Sequence, residues 1–255
     1  MSALGESILL QFCRRPDSHP YSGGTDRTTL GNCLDFLLKT VPDFVELVPG
    51  GRILDFGCGQ GFQSARLARD FGGEVIGLDL PRPGIQQHWD KLQRELQLPN
   101  LVFTTEAPRD PVDIVFSCSS FEHFSDPQQI LQQMIELVRP GGWVVISFAE
   151  PWWSPRGSHM DQFTRLPWVN VWFREQTVLR VRRRFAKDGA TRYEDVEGGL
   201  NRMTVKRFEQ LMLSSGLEIH SLRLFPVKGL PIVKRLPIVR EFLVAAASCV
   251  LRKKA

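Results

Sequence analysis

What the chain lacks narrows its reading first. Its five cysteines, Cys13, Cys33, Cys58, Cys118 and Cys249, are scattered, odd in number and form no C-x-x-C pair. That spacing argues against a disulfide scaffold or a zinc site and predicts no metal ligands; it fits a reducing compartment. The stretch from Met1 to Leu10 has neither a basic leader region nor a long apolar core, so a secretory signal is not expected. No uninterrupted apolar run reaches the roughly 18 residues of a membrane-spanning helix. The longest candidate, Leu236 to Leu251, is broken by Pro237, Arg240 and Glu241. A cytoplasmic protein is expected. There is also no G-K-[ST], which excludes the phosphate loop of nucleoside triphosphatases.

Acidic residues are scarce in one part only. Residues 151–255 hold 9 Asp/Glu against 20 Lys/Arg, whereas residues 1–150 hold 19 against 12. So strong an asymmetry points the second part toward an anionic partner. Phospholipid, nucleic acid and a phosphorylated substrate all meet that description. The remaining composition, 42% hydrophobic and 24% charged over 255 residues, is that of a globular domain carrying a sizeable insertion.

The chain is organised around the stretch 52–68, RILDFGCGQGFQSARLA. It reads as a short buried strand, a glycine turn and a helix opening near Gln60. Glycines let the backbone turn tightly and approach a ligand, and a helix N-terminus presents unpaired N–H groups to an anion. A dinucleotide fingerprint, G-x-G-x-x-G, would put its third glycine at position 62, which is Phe62. The pattern here is instead acidic-x-G-x-G-x-G, led by Asp55. It resembles the first motif of the class I S-adenosylmethionine-dependent methyltransferases. The resemblance implies S-adenosylmethionine as cofactor, with the turn of Gly57, Cys58, Gly59 and Gly61 facing its methionine carboxylate and Asp55 facing its ammonium. A turn that only packs helix on strand is the plainer alternative.

Further segments follow the same logic. Residues 74–80 read as a second strand ending in Asp79 and Leu80, where an acid accepts hydrogen bonds from ribose hydroxyls. Residues 101–106 form a third strand, and in the resembling family an acid at its end meets the adenine amino group; Glu106, followed by Ala107, matches. Residues 112–118 are an apolar run typical of a strand buried on both faces, ending in Ser117 and Cys118. The next segment, Ser119 to Phe124, contains Glu122-His123 and resembles the ubiquinone and menaquinone biosynthesis methyltransferases. Arg139-Pro140-Gly141-Gly142 before a fifth strand at 143–148 is a further hallmark of that branch. Asp126-Pro127 caps the intervening helix, expected over 128–138.

Strands alternating with helices imply an α/β, Rossmann-like doubly wound fold with a mainly parallel seven-stranded sheet. Ligands then sit at the carboxyl ends of the strands, where Asp55, Asp79, Glu106 and the cofactor-binding candidates Ser117 and Cys118 all fall. We expect a single domain over 1–255, divided into an N-terminal cap (1–45), a cofactor-binding core (46–150), a substrate lid inserted after strand five (151–203) and a C-terminal part completing the sheet (204–255). Helices are expected at 6–14, 28–40, 81–97 and 176–187, a loop at 15–26, and a sixth strand at 217–224. Residues 242–251 fit either a final antiparallel strand or an alanine-rich helix. Tyr21 and Arg27 are candidates to fold over the cofactor.

The expected activity is methyl transfer to an oxygen of a small-molecule or lipid/glycan-intermediate acceptor. The alternatives are a non-catalytic S-adenosylmethionine-binding scaffold and an RNA methyltransferase. A nucleic-acid acceptor is disfavoured, because the [DN]-P-P-[YF] of amino-directed base methyltransferases is replaced by Ser117-Cys118-Ser119-Ser120. His159 is the first candidate for a catalytic base, with His123 and His19 as rivals, and Trp152, Trp153 and Trp168 could wall an acceptor. The basic face of 180–187 and the repeated Leu-Pro-Ile-Val at 230–233 and 236–239 suggest a peripheral contact with an anionic membrane.

Overall fold

Runs without polar alternation, such as Ile53–Phe56 and Val75–Leu78, are buried at every position and form the centre of a sheet. In the computed structural model, which describes residues 2–14, 27–47, 50–186, 188–196, 198–229 and 236–255, that sheet has seven strands. They are β1 (Ile53–Phe56), β2 (Val75–Leu78), β3 (Leu101–Thr104), β4 (Val112–Cys118), β5 (Val138–Ala149), β6 (Glu218–Pro226) and β7 (Val244–Arg252). Their spatial order is β3-β2-β1-β4-β5-β7-β6. The first five run parallel; β7 lies antiparallel to both β5 and β6. The reversal of order between β1 and β4 opens the crevice in which such sheets bind ligands.

Helices cover both faces. On one side α6 (Pro127–Leu137) and α9 (Val205–Leu213) bury Leu131, Met134 and Phe208. Asp126 caps α6, accepting from the N–H groups of Gln128 and Gln129 at 3.1 and 3.0 Å. On the other side α3 (Asp35–Thr40), α4 (Phe62–Phe71) and α5 (Ile85–Leu96) bury Leu37, Leu67 and Leu92. No helix among the described residues is long and apolar enough to cross a membrane.

Several boundaries differ from the sequence expectations. The first helix, α1, spans Ser2–Gln11. The helix expected over 28–40 is two, α2 (Arg27–Asn32) and α3, parted at Cys33, whose thiol donates to Leu30 O and Phe62 O. The prolines at 81 and 83 precede α5 rather than opening it, since its first turn begins only after Gly84 adopts a left-handed conformation. The alternative left open for 242–251 resolves into a short helix, α10 (Pro237–Leu243), followed by β7. Alanine favours helix in isolation, but here Ala246 and Ala247 sit between two strands, where ladder bonding and burial decide.

The insertion folds around a core of its own, which includes Trp152, Met160, Phe163, Val178 and Tyr193. Its helices are α7 (Val169–Trp172) and α8 (Glu175–Arg182). Helix α1 completes this core with Leu9, while α2 and α3 pack on the sheet. Of the expected basic face, Arg180 and Arg184 pair with Glu6 while Arg183 is exposed; Arg182, which is buried, pairs with Asp188 at 2.6 Å. Lys187, the loop 15–26 with His19 and Tyr21, the Arg27 side chain and the first Leu-Pro-Ile-Val copy lie outside the described residues.

Candidate active site

The glycine turn is built against aromatic rings. Phe103 of β3 stacks on Trp89 of α5, centroids 5.2 Å apart, and fills the space beside Gly61 and Gly77. A Cβ would meet the Phe103 ring at 2.3 Å from Gly61 and at 2.5 Å from Gly77, so only glycine fits at either place. Gly61 also has φ of +83° as the residue before α4. The buried Trp89 indole donates to Gly59 O at 3.0 Å, a tie between α5 and the turn that helical periodicity did not reveal. On its outer side a Cβ on Gly59 would touch nothing within 4 Å; the turn is open there.

The amides of the turn are spent inside the protein, contrary to the sequence expectation. Gly57 and Cys58 donate to Leu78 O at 2.8 and 3.0 Å, Gly61 donates to Cys58 O at 2.9 Å, and Gly59 donates to Asp79 Oδ2 at 2.6 Å. The left-handed glycines fold these groups back onto β2. The amides without an intrahelical acceptor are instead those of the first turn of α4, Phe62 and Gln63 among them.

Two carboxylates stand beside the turn. Asp55 is fully buried and accepts from Ser64 Oγ at 2.7 Å. Burial lifts its carboxyl to about 7; the Ser64 hydrogen bond opposes this and Asp79 adds to it. Asp79 accepts from Gly59, from Leu80 N at 2.7 Å and from Arg82 Nη2 at 3.2 Å. Arg82 is half exposed and thus a displaceable partner. Leu80, Glu106 and Ala107 are exposed at the same edge, Glu106 and Ala107 in the turn after β3. Cys58 and Cys118 are thiols whose acidity burial suppresses; Cys118 rises to about 12 and meets Gln63 Nε2 at 3.5 Å. Ser117 requires a correction. It is wholly buried and its hydroxyl has no partner, because alternation along β4 turns it into the core opposite Cys118.

The segment after β4 joins this cluster to a second one. Ser120 Oγ donates to Gly57 O at 2.8 Å. His123 donates from Nδ1 to Gly199 O at 2.6 Å, which leaves Nε2 as the basic nitrogen. Its ring meets that of His159 edge-on, centroids 5.2 Å apart. His159 Nε2 lies 3.9 Å from Glu150 Oε2, and Arg156 Nη1 lies 4.0 Å from the other Glu150 oxygen. The two histidines singled out from sequence therefore do converge, 36 positions apart, at the carboxyl ends of β4 and β5. Burial drives His159 down to about 3, with His123 and Arg182 adding to it, and burial lowers His123 too. Glu150 moves the other way, to about 7, through burial and the nearby Asp161, with Arg156 opposing. The fully buried Glu122 rises to about 8. Ser119, Glu150 and His159 all have positive φ, at 55°, 59° and 50°. Such backbone strain tends to collect at functional sites.

Sequence reasoning passed over Glu150. The signal was present: Asp55, Asp79 and Glu106 already placed acids at the ends of β1, β2 and β3, and Glu150 continues the series directly after β5. It also passed over Asn201, which fastens the insertion to the post-β4 segment. Its amide donates to Phe121 O and Phe124 O, both at 2.8 Å, and its backbone N–H donates to Glu122 O at 3.0 Å. Asn201→Ala strands two carbonyls and should cost about 1–3 kcal/mol, read as a lower urea midpoint with an unchanged slope; an unchanged midpoint would show the bridge to be dispensable. The tryptophans are placed differently from expectation. Trp152 is buried against Tyr193, centroids 4.7 Å apart, within the insertion's own core, and Trp168 donates to Phe242 O, tying the insertion to α10.

Comparison with known proteins agrees with this architecture. A family model described as a methyltransferase domain matches residues 28–222. The ubiquinone biosynthesis O-methyltransferase of Pectobacterium atrosepticum is 31% identical over 155 residues, which cover 52% of this chain and 64% of that protein. Its counterpart from Leptothrix cholodnii is 32% identical over 116 residues, covering 43% and 49%. The chain thus spans about half to two thirds of the length of these curated relatives. Among solved structures, a putative S-adenosylmethionine-dependent methyltransferase from Listeria monocytogenes superposes with a TM-score of 0.55 at 16% identity, covering 88% of this chain and 99% of that one. The [4+2]-cyclase SpnF superposes with a TM-score of 0.56 at 15% identity, covering 99% and 94%. These structures share the fold. The chain belongs to the class I S-adenosylmethionine-dependent methyltransferase family.

Proposed function

We propose that this protein methylates an oxygen of a small-molecule or lipid-like acceptor, with Glu150 as the group that takes the acceptor's proton. The observation that carries this reading is the convergence of Glu150, His159 and His123 at the carboxyl ends of β4 and β5. The names of the partial relatives, ubiquinone biosynthesis O-methyltransferases, support oxygen as the methylated atom.

The residues at the turn suit S-adenosylmethionine. Asp55 is a buried carboxylate held near neutrality, as expected of a group that lacks a cation and would gain one from the methionine ammonium. The α4 amides meet the carboxylate, Asp79 exchanges Arg82 for the ribose hydroxyls, and Leu80 and Glu106 flank the adenine. When bound, the cofactor supplies a methyl group on a sulfonium that already carries a good leaving group. The protein's remaining tasks are alignment and proton removal.

The basic role expected of His159 falls in this reading to Glu150. At about 3 its imidazole is a weak base at neutral pH, whereas Glu150 at about 7 is matched to it. His159 then acts as the neutral neighbour that orients the Glu150 carboxylate. His123 in turn is fixed by Gly199 and backs the His159 ring.

Cofactor affinity should depend on pH through Asp55. An ammonium partner stabilises the ionised carboxylate, so the bound form has the lower pKa. Affinity is then complete above about 7 and weakens below it, by about tenfold per pH unit at the limit. Titration calorimetry between pH 5.5 and 8 measures this, and a flat profile would refute the pairing. The acceptor itself is sought by incubating cell extract with the protein and methyl-labelled cofactor, followed by mass spectrometry. A labelled O-methyl product is expected. A labelled N- or C-methyl product would overturn the choice of oxygen, and failure to bind the cofactor would overturn the enzyme reading.

A further inference from the structure

The exposed apolar side chains are not spread evenly. Eight of the twelve large ones exposed among the described residues belong to three places: α1 with the turn after it, α7, and α10 with its capping residue. Leu4 and Ile8 of α1 and Phe12 in the turn that follows it recur every fourth position and form one stripe, 69%, 40% and 54% exposed. This stripe flanks the face that buries Leu9, on the side away from Glu6 and its arginines. On α7 the exposed pair is Val171 and Trp172, the latter 68% exposed. On α10 it is Ile238 at 78%, with Leu236 and Val239 beside it.

Contacts join the three elements. Trp168, immediately before α7, donates to Phe242 O of α10 at 3.2 Å. Phe173, immediately after α7, packs on α1 at Gly5, where a Cβ would lie 3.8 Å from its ring. The border is cationic. Arg14 and Arg165 flank the antiparallel bridge between Cys13 and Thr164, one on each side of it, and Arg174 follows Phe173. All three arginines are exposed and have no ion-pair partner among the described residues.

We infer that this face, α1–α7–α10, is a docking surface for an anionic phospholipid bilayer, on which the protein lies without spanning it. Short helices presenting apolar side chains and a tryptophan, edged by arginine, suit the boundary between headgroups and acyl chains. Sign of charge selects the partner. A second copy related by a two-fold axis would set this arginine border against itself, whereas an anionic surface neutralises it. The excess of Lys/Arg over Asp/Glu in residues 151–255, 20 against 9, acts in the same direction. The membrane contact expected from sequence is thereby moved off the basic face of 180–187, where Arg180 and Arg184 are paired with Glu6. This inference is independent of the acceptor's identity.

Cosedimentation with vesicles tests it. The protein should bind phosphatidylglycerol–phosphatidylcholine vesicles at low salt at least tenfold more tightly than pure phosphatidylcholine vesicles, and high salt should erase the difference. Ile8→Ser, Trp172→Ser and Ile238→Ser combined, one change on each element, should weaken binding about a hundredfold while cofactor affinity stays unchanged. Arg14→Gln, Arg165→Gln and Arg174→Gln combined should reduce binding to that on neutral vesicles. No binding to the anionic vesicles, or binding untouched by either triple variant, would overturn the inference. So would sedimentation velocity without lipid showing a dimer that the apolar triple variant dissociates.

Discussion

Glu150→Gln should lower turnover by about 10²–10⁴-fold and leave the affinity for S-adenosylmethionine as it was. The substitution keeps the size of the side chain and removes only its capacity to take a proton. The wild-type rate at saturating cofactor should rise with pH and level off above about 7, where Glu150 is ionised. Below that value the carboxyl is protonated, and the rate should fall about tenfold per unit. The variant should lose this limb. His159→Ala should reduce turnover less, since it removes an orienting neighbour and not the proton acceptor. Rates measured with the acceptor found by labelling decide the matter: a Glu150→Gln enzyme within threefold of wild type is incompatible with a base at this position, and a larger loss in His159→Ala would return the role to the histidine. Because the rate at saturation reports Glu150 and the dissociation constant reports Asp55, the two ionisations near 7 can be separated.

Asp79→Ala should weaken S-adenosylmethionine binding about ten- to a hundredfold. The carboxylate is largely shielded, 15% exposed, and already fixed by the Gly59 and Leu80 amides. Hydrogen bonds from a ligand to such a charged, preorganised acceptor contribute about 1.5–3 kcal/mol. Arg82→Gln gives the complementary result. Removing the side chain that occupies Asp79 should leave affinity equal or slightly higher. Calorimetry on both variants, folded as judged by far-ultraviolet dichroism, is the measurement, and an unaltered constant for Asp79→Ala would remove Asp79 from the cofactor site.

The parts of the molecule legible in sequence are those whose determinants are local. Ile53–Phe56, Val75–Leu78 and Val112–Cys118 announce strands because each is short and dominated by Ile, Val, Leu and Phe, and Asp126-Pro127 announces a helix start by its own chemistry. The glycine turn was located for the same reason. Its hydrogen bonding was not, since the acceptor for Gly57 and Cys58 lies on β2 and only the folded sheet brings Leu78 O to them. The insertion was the least legible segment. Trp152 reads as a site wall until Tyr193 and Arg202 arrive from forty or more positions away to enclose it. Glu150 looks like an ordinary strand-end acid, and its proton affinity arises from burial that the insertion supplies. Residues 244–251 have the composition of a helix, and only the strands on either side make them β7.

The place of β7 between β5 and β6 bears on how the protein is made. During synthesis β5 and β6 leave the ribosome first, yet neither can pair with the other in the finished sheet. Until β7 emerges, β5 carries an unpaired edge, and β6 with α9 has no strand to join. Neighbouring strands lie about 4.8 Å apart, so the nascent chain must keep a slot one strand wide and accept the last-made strand into it. That interval exposes two β edges to other nascent chains.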